Sequence, residues 1–257
     1  MATSKDEIRD QFWKELKHHL EGWLEKVSED FSEAEFKREL ADLKRDPVYS
    51  GFGFAIPEYV LVRLIGRVSI SIGRRLGEIY DKIPRLITHA RFGLTEKQVA
   101  PKMGQKLQLD VCIPIEVLSK ADAAHVTAVA RAYLHSRKLS GGLGIEIRYN
   151  FNPNDSARLR KDVDMANFLK EARLLPVYLI FSTISPRDDA IARLKRAGWT
   201  FLIGNDASKF MQALIGMNFK KILEEVRDEL DSQVAKIMRQ IYTSYAMRRT
   251  LEPYRKQ

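Results

Sequence analysis

Three residues in the middle of this chain could do chemistry together: Asp110, which ends the alternation "KLQLD", and Glu146 with Arg148 in "GLGIEIRYNF". On a β-strand, residues two apart point to the same side, so the acid and the base at 146 and 148 project together. If the strand carrying Asp110 neighbours theirs, a second carboxylate joins them. Two carboxylates converging on one point make an oxygen-rich site for Mg²⁺, a hard cation that keeps several waters and binds phosphate. A fixed cation beside such a site can stabilise charge developing on a phosphoryl group under attack. The chemistry these residue types offer is metal-assisted phosphodiester hydrolysis.

The elements that must position them are legible in the hydrophobic pattern. "KLQLDVCIPI" reads as one strand, "ADAAHVTAVARAYLHSRK" as a helix and "GLGIEIRYNF" as a second strand. The helix "DSARLRKDVDMANFLKEAR" leads into "LPVYLIFSTI", a strand apolar enough to be buried on both faces. "PRDDAIARLKRAG" is a helix ending at Gly198, and "WTFLIG" is a fourth strand. Strands alternating with helices predict an α/β fold with a central mixed β-sheet flanked by helices. Before it, residues 5 to about 45 read as two helices with a break at "SEDFSEAEF", then a loop, "DPVYSGFGFAIPEY", then a long helix beyond Pro57. After it, the chain from "NDASKFMQAL" to "YTSYAMRR" is helical. A single domain is expected, with an N-terminal helical extension over 1–56, a core over 57–216 and C-terminal helices over 217–257.

The 257 residues carry 43 Lys and Arg against 34 Asp and Glu, a formal charge of +9. That excess favours polyanionic partners such as nucleic acid, although a well-solvated surface has the same composition. The one cysteine, Cys112, lies in an apolar run, so no internal disulfide and no thiolate zinc cluster can form. A reducing, cytoplasmic setting is expected. The first residues are amphipathic rather than a basic segment followed by a hydrophobic one, and no window has the apolar length of a membrane span, so no membrane partner is expected.

The strand with Asp110, the strand with "EIR", the buried strand "PVYLIF" and their flanking helices resemble the PD-(D/E)XK nuclease superfamily, in particular the type II restriction endonucleases. The resemblance covers roughly residues 57 to 216 as an order of elements. It implies a restriction-endonuclease-like core and Mg²⁺-dependent cleavage of double-stranded DNA. Its first acid falls on Asp110, its second on Glu146 and its lysine position on Arg148. A further metal-binding acid from the helix before the core would be Glu78, although pairing with Arg74 or Arg75 on the same helix is its plainer use. Two departures stand out. The family pattern ends in lysine where this chain has arginine, a permanently protonated fork that cannot accept a proton. The proline usual before the first acid is replaced by Leu109. A homodimer follows from matching two-fold protein symmetry to palindromic DNA. A DNA-binding protein that keeps the fold without efficient catalysis, and a DNA-repair nuclease on the same core, are the alternatives.

The helix after Arg148 carries the candidate DNA contacts Asn154, Ser156, Arg158, Arg160 and Lys161, with Asn154 or Asp155 as its N-cap. A helix entering the major groove by its N-terminal end can aim arginines at guanine while its free amides hold a phosphate. Arg158 and Arg160 diverge by about 200° around a helix, so only one can face a given base edge. A surface helix balanced by Asp162 and Asp164 is the alternative. Glu116 in "PIEVLSK" is a poorer second acid, because strand geometry puts Leu118 where the cation should be. The histidines lack the spacing of a zinc or triad site. "SGGLG" precedes a strand rather than following one, which argues against a nucleotide-phosphate loop.

Overall fold

A computed structural model describes residues 5–103, 107–135, 139–151, 156–184 and 188–256. The chain divides into two compact units: one of Gly77–Glu224 with the start of the first helix, the other of Gln11–Leu76 and Glu225–Gln257. In the second unit, α1 (Lys5–Asp30) and α2 (Glu33–Arg45) are separated at Phe31–Ser32, within the predicted break. Ser32 stops one helix and starts the next by accepting the Glu35 amide at 3.2 Å. Phe12, Leu16, Leu20, Trp23 and Val27 form the buried stripe of α1. The expected loop after α2 contains a short helix, α3 (Pro47–Gly51), because Asp46 caps it through the Val48 and Tyr49 amides and Pro47 is pre-set for its first turn. The long helix α4 (Pro57–Phe92) begins as expected and contributes residues to both units.

The first unit continues from α4 through α5 (Glu96–Val99) into a short antiparallel hairpin, β1 (Lys102–Met103) with β2 (Leu107–Gln108). Then come β3 (Val111–Pro114), α6 (Lys120–Leu134), β4 (Gly142–Arg148), α7 (Ser156–Glu171), β5 (Leu174–Ile180), α8 (Asp188–Ala197), β6 (Thr200–Ile203), α9 (Asn205–Ile215) and α10 (Phe219–Glu225). The sheet order is β3-β4-β5-β6; β3 runs antiparallel to β4, and β4, β5 and β6 are mutually parallel. Each parallel step crosses over through a helix, which parallel pairing requires. The protein is therefore α/β with a mixed four-stranded sheet flanked by helices, as its alternating pattern predicts. The chain differs from expectation at "KLQLDVCIPI", which is two strands with a bend at Leu109–Asp110. β2 pairs with β1, and the Leu109 amide bonds to the Pro101 carbonyl at 3.1 Å, so this segment is held away from the sheet until Val111.

One face of the sheet positions the chemistry. Glu146, Tyr178 and Phe201 lie opposite one another across β4, β5 and β6. Tyr178 stacks on Phe201 with ring centres 4.9 Å apart and meets Trp199 edge-on at 5.2 Å. Met165, Ala166 and Leu169 of α7 and Ala190, Ile191 and Leu194 of α8 close this face. α7 approaches β4 at Gly144, where an added Cβ would lie 2.4 Å from the buried Leu169 Cδ2, so no larger residue fits there. The opposite face carries Leu143, Ile145, Ile147, Val177 and Leu179, all buried. After α10, helices α11 (Arg227–Tyr242) and α12 (Tyr245–Leu251) complete the second unit. Among the described residues, no helix is long and apolar enough to cross a membrane.

Candidate active site

Asp110 stands at the bend just ahead of β3, and its place is dictated by the end of the ladder. Val111 is the first residue of β3 paired to β4, opposite Ile145. The Ile147 amide thus lies beyond the backbone pairing, and Asp110 Oδ2 accepts it at 2.7 Å. The same oxygen accepts Arg148 Nη1 at 2.9 Å, while Arg148 Nη2 donates to Glu146 Oε1. The guanidinium thereby bridges both carboxylates, and it also lies 5.8 Å from the centre of the Tyr178 ring. Asp110 and Glu146 are buried. The three residues expected to act together are together, with the arginine fork between the acids.

Further charges complete the cluster. Arg85 of α4 donates from Nε to the Asp110 carbonyl at 2.8 Å, and its Nη2 lies 2.7 Å from Asp81 Oδ1 and 3.5 Å from Asp110 Oδ1. Burial, followed by the Asp110 charge, pushes the Asp81 carboxyl up to about 7. On α7, Asp162 accepts the Tyr178 hydroxyl at 3.1 Å and is raised by burial. Burial, then Asp110, pushes Glu146 up to about 8 against the pull of Arg148. Four carboxyl groups thus share two closely paired guanidinium groups, those of Arg85 and Arg148, with Arg158 acting on Asp162 from α7, and the raised carboxyls hold protons that a cation would have to displace.

A pocket of about 320 Å³ opens over Glu146 and Arg148, and Arg158, Lys161 and Asp162 of α7 line it. Arg158 and Lys161 are three apart and so share a helix face; Arg160 points to solvent and is not part of this wall. Of the other expected contacts, Asn154 lies outside the described residues, as does the side chain of Ser156, which opens α7. Glu78 is exposed on α4 and does not line the pocket. The acid that α4 brings beside Asp110 is Asp81, one turn further along. Glu116 lies in the turn after β3, away from the pocket wall.

The residues present fit a hard divalent cation in two respects. The excess of buried carboxyls supplies the charge, and Glu146 Oε2 is a buried oxygen with no hydrogen-bond partner. Among the described residues, no group of three or more His, Cys, Asp or Glu side chains has the spacing of a complete protein cage. Mg²⁺ held by one or two carboxylates and phosphate oxygens needs none.

Sequence reasoning passed over Asp81, Arg85 and Tyr178, and gave Asp162 only as a surface charge balancing α7. For Asp162 a signal existed: it falls in phase with the buried Met165, Ala166 and Leu169, so an acid occupies the apolar stripe of α7. Cys112, beside the acid, is buried with its thiol pushed up to about 12 by burial and by Glu116, which makes it unreactive. No protein-family model, curated protein or solved structure matches this chain.

Proposed function

We propose that this chain is a Mg²⁺-dependent, sequence-specific endonuclease for double-stranded DNA, a type II restriction enzyme on a restriction-endonuclease-like core. One observation carries the reading. Glu146 and Arg148 of β4 line a pocket whose wall bears Arg158 and Lys161, and Asp110, from the bend before β3, bonds to Arg148 beside them. Asp110 and Glu146, through its unpartnered Oε2, would hold the cation. Mg²⁺ when bound supplies an activated water and neutralises charge at the phosphate. Arg148 gives up its bridge to reach a phosphoryl oxygen, where a planar, permanent cation stabilises added negative charge. Arg158 and Lys161 draw the backbone into the pocket, since cations on a helix's first turns meet phosphate readily. A homodimer would offer one such pocket to each strand.

The test is incubation with plasmid DNA and Mg²⁺. Discrete fragments are expected, from this chain or from Arg148→Lys; no cleavage by either overturns the nuclease reading. A second reading, DNA binding without turnover, is favoured by the guanidinium that occupies the space between the two carboxylates. It predicts salt-dependent binding that divalent metal neither enables nor converts to cleavage.

A further inference from the structure

We infer that the exposed apolar face of α4 within the second unit pairs antiparallel with the same face of a second copy, on a two-fold axis through Gly66. The unit leaves Val62, Ile65 and Ile70 at 61%, 45% and 76% exposure on one helix. An added Cβ on Gly66 would meet nothing within 4 Å. Val62, Gly66 and Ile70 are four apart and form one ridge, with Ile65 on the ridge beside it. Helix faces of this kind are covered in folded proteins, and nothing in the unit covers this one.

The occupant follows from the pattern along the ridge. Glu58, Val62, Gly66, Ile70 and Arg74 recur every fourth residue, over about 24 Å of helix. Reversing one copy about Gly66 sets Val62 against Ile70 twice, and Glu58 toward Arg74 twice. The ridge is thus complementary to itself in shape and in charge, as a two-fold contact requires. Glycine at the axis lets the two backbones approach where they cross. The other cations on this stretch do not oppose pairing. Arg63 bonds to Glu39 at 3.1 Å, and Arg67 bonds to Glu39 and Glu35, so α2 already neutralises them. Glu58 also accepts the Tyr254 hydroxyl at 3.1 Å, which holds its carboxylate at the end of the ridge.

This inference takes up the homodimer of the proposed function but needs neither DNA nor metal, so its failure leaves the nuclease reading standing and the reverse also holds. The full chain is measured by sedimentation equilibrium in the absence of both. A dimer is expected, weakened at least about tenfold by Ile70→Glu. Glu58→Arg and Arg74→Glu should each weaken it, and the two together should restore it. Gly66→Cys should form a disulfide-linked dimer under mild oxidation, because the position meets itself, and the native thiol at Cys112 is buried. Val62→Cys alone should link poorly, whereas Val62→Cys mixed with Ile70→Cys should link well. Circular dichroism checks folding, and the cysteine pairs decide the matter if Ile70→Glu misfolds. A monomer at every concentration, or a dimer that Gly66→Cys does not link, overturns the inference.

Discussion

Asp110 Oδ2 lies 2.7 Å from the Ile147 backbone nitrogen and accepts its N–H, so the carboxylate is as much a part of the sheet as of the charge cluster. Asp110→Ala would orphan that amide and leave the Arg148 guanidinium half-paired. The expected loss is about 2–4 kcal/mol, less for Asp110→Asn, which keeps an acceptor for Ile147 but not the ion pair. Urea unfolding of the two variants tests the ranking; equal losses would mean that the amide bond contributes nothing.

Arg148 answers two carboxylates with one planar group, which a lysine cannot do. Arg148→Met should cost about 3–5 kcal/mol in stability above pH 8 without divalent metal, because Glu146 then loses its cation and Asp110 keeps only Arg85. Arg148→Lys should cost less and, on the proposed function, should cut plasmid DNA at least as fast as the parent. Stability curves and cleavage rates on the same preparations check both statements.

The pH dependence has a definite sign. Glu146 at about 8 and Asp81 at about 7 hold protons in the folded state that the unfolded chain releases near 4. Groups raised on folding give their full stabilisation below the unfolded value and lose it as pH rises through the folded one. In chelator, stability from this site should therefore decline between about pH 5 and pH 8. Glu146→Gln should flatten the decline. Added Mg²⁺ should stabilise more at pH 8.5 than at pH 6, since it must displace those protons. A urea midpoint that rises over this range in the parent, by an amount that Glu146→Gln leaves unchanged, would contradict the assignment.

Arg158 and Arg160 should behave differently. Arg158 lines the pocket with Lys161, whereas Arg160 faces solvent on another side of α7. Arg158→Ala should weaken DNA binding by about 1–3 kcal/mol and lower the salt slope by roughly one. Arg160→Ala should have a smaller effect, alike for all sequences. Fluorescence anisotropy with cognate and scrambled duplexes at several salt concentrations separates the two; identical behaviour would detach the pocket from recognition.

Much of the core was legible because β4 and β5 are dense in apolar residues and their neighbours carry clear helical spacing. The period of two put Glu146 and Arg148 on one side, and they are. The bend at Leu109–Asp110 was not legible, since an alternating run reads as continuous when a backbone bond to a distant residue, Pro101, is what interrupts it. Glu78 and Asp81 are three apart on one helix, and only the height of α4 against the sheet decides which reaches Asp110. That height is set by tertiary packing. Tyr178 looked like core, and it is core; its hydroxyl matters only because Asp162 arrives from another element.

The acids of the cluster come from α4, the bend before β3, β4 and α7, and no two of them share an element. β4 meets β5 only after a helix has been laid across the sheet, a long-range closure that is slow relative to local helix formation. No fragment of the chain short of that closure carries the cluster. A proteolytic piece or a nascent chain lacking α7 has neither Asp162 nor the basic wall of Arg158 and Lys161, so whatever chemistry the pocket performs is withheld until the fold is complete.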